Sequence, residues 1–205
     1  MVMTLQNLVA KSWTKFHNVL FLKHKTLSMD ENRKLEYDKT YMRMADALAQ
    51  LSYAVRSKVG CLIVSEDGQI VSQGYNGMPH GMDNCCEDKV YNYIPGKDCK
   101  RPDSCAKGKD GTCKGCLLSE QSTSYTLVTK PEVLHAESNA ISKCAKWNSS
   151  TDGATCYVTL SPCVECSKLM IQSGIKKVYY KDLYRNTQGI DLLKQAGIEV
   201  KQINI

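Results

Sequence analysis

Apolar positions along this chain change period several times, and each change marks an element. Leu5, Leu8, Val9 and Trp13, followed by Phe16, Val19 and Leu20, can line one face of a helix. Met29 to Asp38 is charged and polar and reads as a linker. From Thr40, which has N-cap chemistry, Met44, Ala45, Leu48, Ala49, Leu51 and Ser52 recur at helical spacing. Cys61 to Val64 is a short apolar strand, Glu66-Asp67-Gly68 a hairpin turn, and Ile70 to Gly74 the return strand. Residues 83–130 show little periodicity and form a long insert. Helical spacing returns after His135 with Ala140, Ile141, Cys144 and Ala145. Thr155 to Leu160 reads as a strand stopped by Ser161-Pro162. Leu169, Met170 and Ile171 belong to a helix that starts at Cys163 and ends at Gly174. A strand over Lys177 to Tyr180, a polar loop over Asp182 to Thr187, a helix over Ile190 to Ala196 capped by Gly197, and a last strand over Ile198 to Ile203 complete the chain.

Strand–helix alternation in the second half predicts parallel pairing with crossover helices. The expected fold is α/β: a three-layer α/β/α sandwich on a mixed five-stranded sheet. Residues 1–38 are expected to be an accessory helix and linker, or a helix that docks a partner. Residues 39–205 are expected to form one domain interrupted by the insert.

Composition narrows the class. The 27 basic and 21 acidic residues give a net charge of +6. That suits an anionic substrate and is too small to demand nucleic acid. No apolar run reaches the ~18 residues of a membrane span. An odd number of cysteines, eleven, argues against a secreted disulfide framework, and the start of the chain resembles neither a signal nor a transit peptide. A reducing, cytoplasmic setting follows as the expectation, with cysteines used for metal.

The chemistry concentrates in His135-Ala136-Glu137 and Pro162-Cys163-Val164-Glu165-Cys166. One imidazole and two thiolates suit Zn²⁺ and leave its fourth tetrahedral position open, as in a catalytic site. Taken singly, a CxxC pair is equally a redox pair or half of a structural zinc site. An upstream HxE has no use in a redox pair. Both ligand groups fall at predicted helix N-termini, where the dipole favours thiolates. Glu137, two residues past the His, is placed to carry protons. A second set of cysteines lies in the insert: Cys99, Cys105, Cys113 and Cys116, with Cys113-Lys114-Gly115-Cys116 shaped like a zinc knuckle. Cys85 and Cys86 compete for membership, and idle thiols in a loop are the alternative. Gly74-Tyr75-Asn76-Gly77-Met78-Pro79 is either a plain turn or a backbone held close to a ligand.

These segments, with Lys58-Val59-Gly60 and Ile171-Gln172-Ser173-Gly174-Ile175-Lys176, resemble the deoxycytidylate (dCMP) deaminases of the zinc cytidine deaminase superfamily, phage and viral members most of all. The likeness runs from about Tyr41 to the C-terminus, apart from much of the insert. It implies hydrolysis of dCMP to dUMP and ammonia, supplying dUMP for thymidylate synthesis, in a cytoplasmic homo-oligomer that binds no membrane. Zn²⁺ would sit on His135, Cys163 and Cys166, with Glu137 as the proton carrier. Some phage relatives carry a second zinc, which makes a structural metal plausible in the insert. The resemblance also implies that Asn76 binds the sugar and Tyr184 packs at the base or phosphate end. Gly74, Tyr75, Asn76 and Gly77 would belong to an allosteric loop taking dCTP as activator and dTTP as inhibitor. Ala136 N–H is a candidate donor to the base O2 and Ser161 a candidate partner for the amine. Lys58, Arg56 and Arg185 are candidates for the 5′-phosphate. The rival readings are a deaminase acting on a polynucleotide, whether tRNA adenosine or single-stranded DNA cytosine, and a zinc-knuckle nucleic-acid-binding module. The modest charge and the GYNGxP loop count against the first, and the intact HxE and CxxC against the second.

Overall fold

The computed structural model describes residues 30–91 and 125–205. Helix α1 covers residues 30–49. Strands β1 (Gly60–Val64) and β2 (Ile70–Tyr75) form a hairpin, and β3 (Glu87–Tyr91) and β4 (Tyr125–Thr129) a separate ribbon. Helix α2 (Ala136–Lys146), β5 (Thr155–Leu160), α3 (Val164–Gln172), β6 (Lys177–Asp182), α4 (Gln188–Gln195) and β7 (Glu199–Gln202) follow. The main sheet has the order β2-β1-β5-β6-β7. β1 is antiparallel to β2 and to β5, whereas β5–β6 and β6–β7 are parallel. The mixed five-stranded sheet is the one the alternation of elements predicts.

Alternation along the central strands builds two cores. Cys61, Ile63, Cys156, Val158 and Val178 face α2, α3 and α4, where Ala140, Met170 and Leu193 pack on them. Leu62, Val64, Tyr157 and Tyr179 face the other way and meet Met42 and Ala45 of α1. Helices therefore cover both faces of the sheet, giving three layers. Gly174 and Gly197 adopt positive φ, at 81° and 77°. Each lets the next amide reach back across the helix end: Ile175 N–H to Met170 O (3.1 Å) and Ile198 N–H to Leu193 O (3.0 Å). These are the glycine stops expected for α3 and α4.

Two expectations need correction. Thr40 is not a helix start. It sits within α1, and its hydroxyl donates to the Glu36 carbonyl (2.7 Å). The charged stretch before it is helical from residue 30, so the expected boundary after residue 38 falls inside α1. One narrow stripe suffices to seat this helix. Asp38, Met42, Ala45 and Ala49 are all buried along one face, and Asp38 accepts from Tyr157 O–H (2.6 Å). The insert, in turn, carries a strand at each of its two ends. β3 and β4 pair antiparallel from Glu87↔Thr129 to Tyr91↔Tyr125. Val90, Tyr125 and Val128 are exposed on this ribbon, so burial imposes no two-residue period on it. Residues 1–29 and 92–124, including Cys99, Cys105, Cys113 and Cys116, lie outside the described residues.

Candidate metal centre and active-site cavity

The site follows from where the strands end. β5 is flanked by the start of antiparallel β1 and the end of parallel β6, so several chain ends collect beyond Leu160. Ser161 N–H bonds to Asp182 O (2.8 Å), and the Ser161 hydroxyl accepts from Tyr184 N–H (2.8 Å). Thr159 Oγ1 accepts from Gly60 N–H (3.1 Å), which ties the end of β5 to the start of β1. Together these ends enclose a cavity of about 240 Å³.

His135 and Cys163 are the N-cap residues of α2 and α3, and both have extended backbones. Neither uses its side chain to cap, so both side chains stay free for the site. His135 Nδ1 lies 3.5 Å from Cys163 Sγ and 3.4 Å from Cys166 Sγ. The three ligand atoms all fall within 4.8 Å of one another. Tetrahedral Zn²⁺ with ordinary Zn–N and Zn–S bonds would hold nitrogen and sulfur about 3.6 Å apart, so the trio fits zinc. Hydrogen bonds from Cys166 and from His135 pull the Cys163 thiol down to about 3. A thiolate is the form a metal requires.

Glu137 is 4 % exposed, lines the same cavity and stands outside the ligand trio. Burial pushes its carboxyl above the ordinary carboxylate range. A carboxyl so placed beside the ligand trio can take and return a proton.

The glycine loop joins two walls of this cavity. A Cβ on Gly74 would run into Ala136 O and Ala140 N, so the glycine lets β2 press against α2. Gly77 pairs with Leu134 through two backbone bonds of 3.1 and 2.9 Å, immediately before His135. Asn76 accepts from Val59 N–H and donates to Ser57 O, both at 2.8 Å. Its amide therefore serves first to hold the Ser57–Val59 wall, leaving one N–H and one lone pair over. Asn76, Ala136, Ser161 and Tyr184 all line the cavity. Of the three cationic candidates, Arg56 lines it as well. Lys58 is exposed and stands outside the lining, between the inward Ser57 and Val59. Arg185 also stands outside it and stacks over the Tyr184 ring at 5.6 Å. Gly74, Tyr75 and Gly77 are not in the lining. Cys85 is exposed near the base of the ribbon, and Cys86 is buried.

Three contributors were not legible in the sequence. Glu87 and Thr129, from the ribbon, line the cavity. Gly189 of α4 packs against the cysteine turn, where a Cβ would collide with Pro162 O, Ser167 Oγ and the Cys163 carbonyl carbon. Gly189 lies one residue before the helix expected over Ile190 to Ala196 and is the second residue of α4 as observed, so the sequence carried no signal for this contact.

Residues 35–182 match the family model of the cytidine and deoxycytidylate deaminase zinc-binding region. The chain belongs to this family. The match spans the His135, Glu137, Cys163 and Cys166 positions, and zinc is the family's metal. Among curated relatives, the deoxycytidylate deaminase of enterobacteria phage T4 is 37% identical over 173 residues, covering 78% of this chain and 86% of that protein. The human deoxycytidylate deaminase is 35% identical over 174 residues, covering 82% and 80%. Among solved structures, the dCMP deaminase of cyanophage S-TIM5 in complex with dCMP and dUMP superposes with a TM-score of 0.60 at 38% identity, covering 82% of this chain and 96% of that one. The three-layer deaminase fold expected from the sequence is thus the fold observed.

Metal content tests the assignment of ligands. Cys163→Ala should lose bound zinc on purification, because two ligands hold it far less well than three. Glu137→Ala should keep it. Gly189→Ala should lower zinc occupancy by displacing the cysteine turn, an overpacking cost of about 1–3 kcal/mol. Elemental analysis of the purified variants reads all three. Full zinc in Cys163→Ala would contradict the trio.

Proposed function

We propose that this chain deaminates dCMP hydrolytically, giving dUMP and ammonia. The observation that carries the reading is a buried carboxyl, Glu137, sharing one cavity with a zinc-compatible His135–Cys163–Cys166 trio. The phage T4, human and cyanophage relatives supply the substrate. Zn²⁺ bound by the trio would act as a Lewis acid and make water acidic enough to ionise near neutrality. Glu137 accepts the proton of the water that adds to C4 of the cytosine. It returns that proton to N3, then carries the C4 hydroxyl proton to the amine, so the C4–N bond breaks, ammonia leaves and the C4 carbonyl of uracil forms. Ala136, at the first turn of α2, presents its N–H to the base O2. Ser161 places Tyr184 beside the substrate through the bond to its backbone N–H. Asn76 keeps the Ser57–Val59 wall in place against the sugar. The product dUMP would feed thymidylate synthesis in the cytoplasm. Among the described residues no helix is long and apolar enough to cross a membrane.

Ammonia release from dCMP, CMP, dCTP and single-stranded DNA tests the reading. dCMP should be used best. Glu137→Ala should lower kcat by at least about 100-fold, the usual worth of a positioned proton carrier. Turnover of Glu137→Ala near that of the native chain would contradict this role, and preference for single-stranded DNA would replace the substrate.

The insert supports a second, structural zinc held by Cys99, Cys105, Cys113 and Cys116. The β3–β4 ribbon brings the two ends of the insert together, and a metal would substitute for the core that so polar a sequence cannot make. Elemental analysis should then find two zinc ions per chain and one in the Cys113→Ser, Cys116→Ser double variant. One zinc in the native chain would contradict it.

Regulation by dCTP and dTTP in a homo-oligomer rests on the Gly74–Pro79 loop. The amides of Asn76 and Gly77 are already bonded to Val59 O and Leu134 O, so an effector would not find them free. The loop's leverage is mechanical: it touches both the Ser57–Val59 wall and the start of α2. Coupling of about 1–3 kcal/mol would change dCMP affinity roughly 5- to 150-fold. Saturation curves for dCMP should shift left with dCTP and right with dTTP, with light scattering giving the mass of an oligomer. Unmoved curves from a monomer would contradict regulation alone.

A further inference from the structure

Helix α1 carries a second apolar stripe beside the one that seats it. Tyr37 and Met44, seven residues apart, lie on one face, and Leu51 continues that face in the turn that ends the helix. These three are 51, 37 and 56 % exposed. Tyr41 and Leu48, between this stripe and the buried one, are partly covered by the core beneath.

Two contacts fix the direction in which the stripe points. Tyr41 O–H donates to Gly68 O (3.0 Å) in the β1–β2 turn. On the opposite flank of α1, Lys181 Nζ of β6 donates to Asp46 Oδ1 (2.7 Å). The stripe therefore faces the β2 edge of the sheet. There Ile70 is exposed and pairs with Val64, which packs under α1, so both point to the same side. Helices α2, α3 and α4 pack on the other face of the sheet. An exposed apolar groove thus runs between α1 and β2.

The chain itself supplies a segment of matching pattern, length and charge. Residues 1–29 precede α1 and lie outside the described residues. Their apolar positions from Leu5 to Leu20 share one face at helical spacing. At about 1.5 Å per residue, a helix from Leu5 to Leu20 spans roughly 22 Å, and the stripe from Tyr37 to Leu51 roughly 21 Å. Residues 21–29 leave up to about 30 Å of chain in which to reverse direction. Residues 1–29 hold Lys11, Lys15, Lys23 and Lys25 and no acidic residue. A segment running back antiparallel to α1 brings Lys23 and Lys25 to the end of the groove near Tyr37. The β1–β2 turn, which exposes Glu66 and Asp67, meets α1 at that end.

We propose that residues 5–20 dock as an amphipathic helix in the groove between α1 and β2 of their own chain, covering Tyr37, Met44, Leu51 and Ile70. Photocross-linking in the zinc-loaded full chain tests this. Trp13→benzoylphenylalanine, illuminated and digested, should give cross-links to peptides that hold Tyr37, Met44, Leu51 or Ile70. A mixture of isotope-labelled and unlabelled chains should give cross-linked peptides of a single isotope. Met44→Lys and Leu51→Lys, each in that background, should lower the cross-link yield at least about tenfold, because docking would bury an unpaired ammonium. Both side chains are exposed, so each variant should keep its bound zinc, and Met44→Ser serves where a lysine variant does not. Vesicles of phosphatidylglycerol and phosphatidylcholine should leave the yield unchanged. Cross-links confined to other surfaces, or a yield that the groove variants do not move, would overturn the proposal. Mixed-isotope peptides would overturn it in favour of a second copy of the chain. Loss of the cross-links on adding vesicles would overturn it in favour of a membrane surface, the other partner that a basic amphipathic segment suits.

Discussion

Two helix N-termini converge at the end of one buried strand, and the rest of the molecule is arranged to hold them there. β5 runs through the middle of the sheet with antiparallel β1 on one side and parallel β6 on the other. That change of direction gathers the start of β1, the exits of β2 and β6, and the turn into α3 around a single opening. Open α/β sheets bind ligands at such points because the chain ends there leave room without breaking the ladder. Zinc chemistry adds a stricter demand. His135 and Cys163 come from different helices, 28 positions apart, yet Nδ1 and Sγ must meet at about 3.5 Å.

The backbone around the opening accounts for that accuracy. The Gly77–Leu134 bridge and the close approach at Gly74 fix α2 against β2. Asn139 Nδ2 adds a bond to Tyr75 O (2.9 Å). On the other side, Gly189 allows α4 to sit directly on the cysteine turn, and the Ser161 hydroxyl holds Tyr184. Glycines and short polar side chains dominate because each joint is a backbone-to-backbone approach with no space for a larger residue. The proton carrier needs the same rigidity. Glu137 is kept out of water by this packing, and burial raises its carboxyl above its ordinary value.

Much of this was legible in the sequence, for a reason that also explains what was not. A metal site demands particular residue types at fixed local spacing, so HAE and PCxxC stand out in one dimension. Helix-ending glycines do the same, as Gly174 and Gly197 do after α3 and α4. The Glu87 and Thr129 contacts with Arg56 join positions 31 and 73 residues apart in the chain, and no local period records them. The beginning of α1 was hidden for a different reason. Its charged residues dominate its composition, while the stripe that seats it contains an aspartate, Asp38, made tolerable by one hydrogen bond from Tyr157. The glycine loop shows a third limit. Its sequence fits either a plain turn or a backbone held close to a ligand, and the fold uses the amides of Asn76 and Gly77 to join two walls of the cavity.

Three side chains, brought together by the ends of β2, β5 and their neighbours, form one zinc-compatible site open to the cavity. The most direct measurement is an anomalous difference map at the zinc edge from crystals of the zinc-loaded chain. A peak is expected about 2.0–2.3 Å from His135 Nδ1, Cys163 Sγ and Cys166 Sγ, with Glu137 outside the coordination shell. A cavity with no peak, ligation through Glu137, or a metal that leaves any of the three atoms unbound would contradict it.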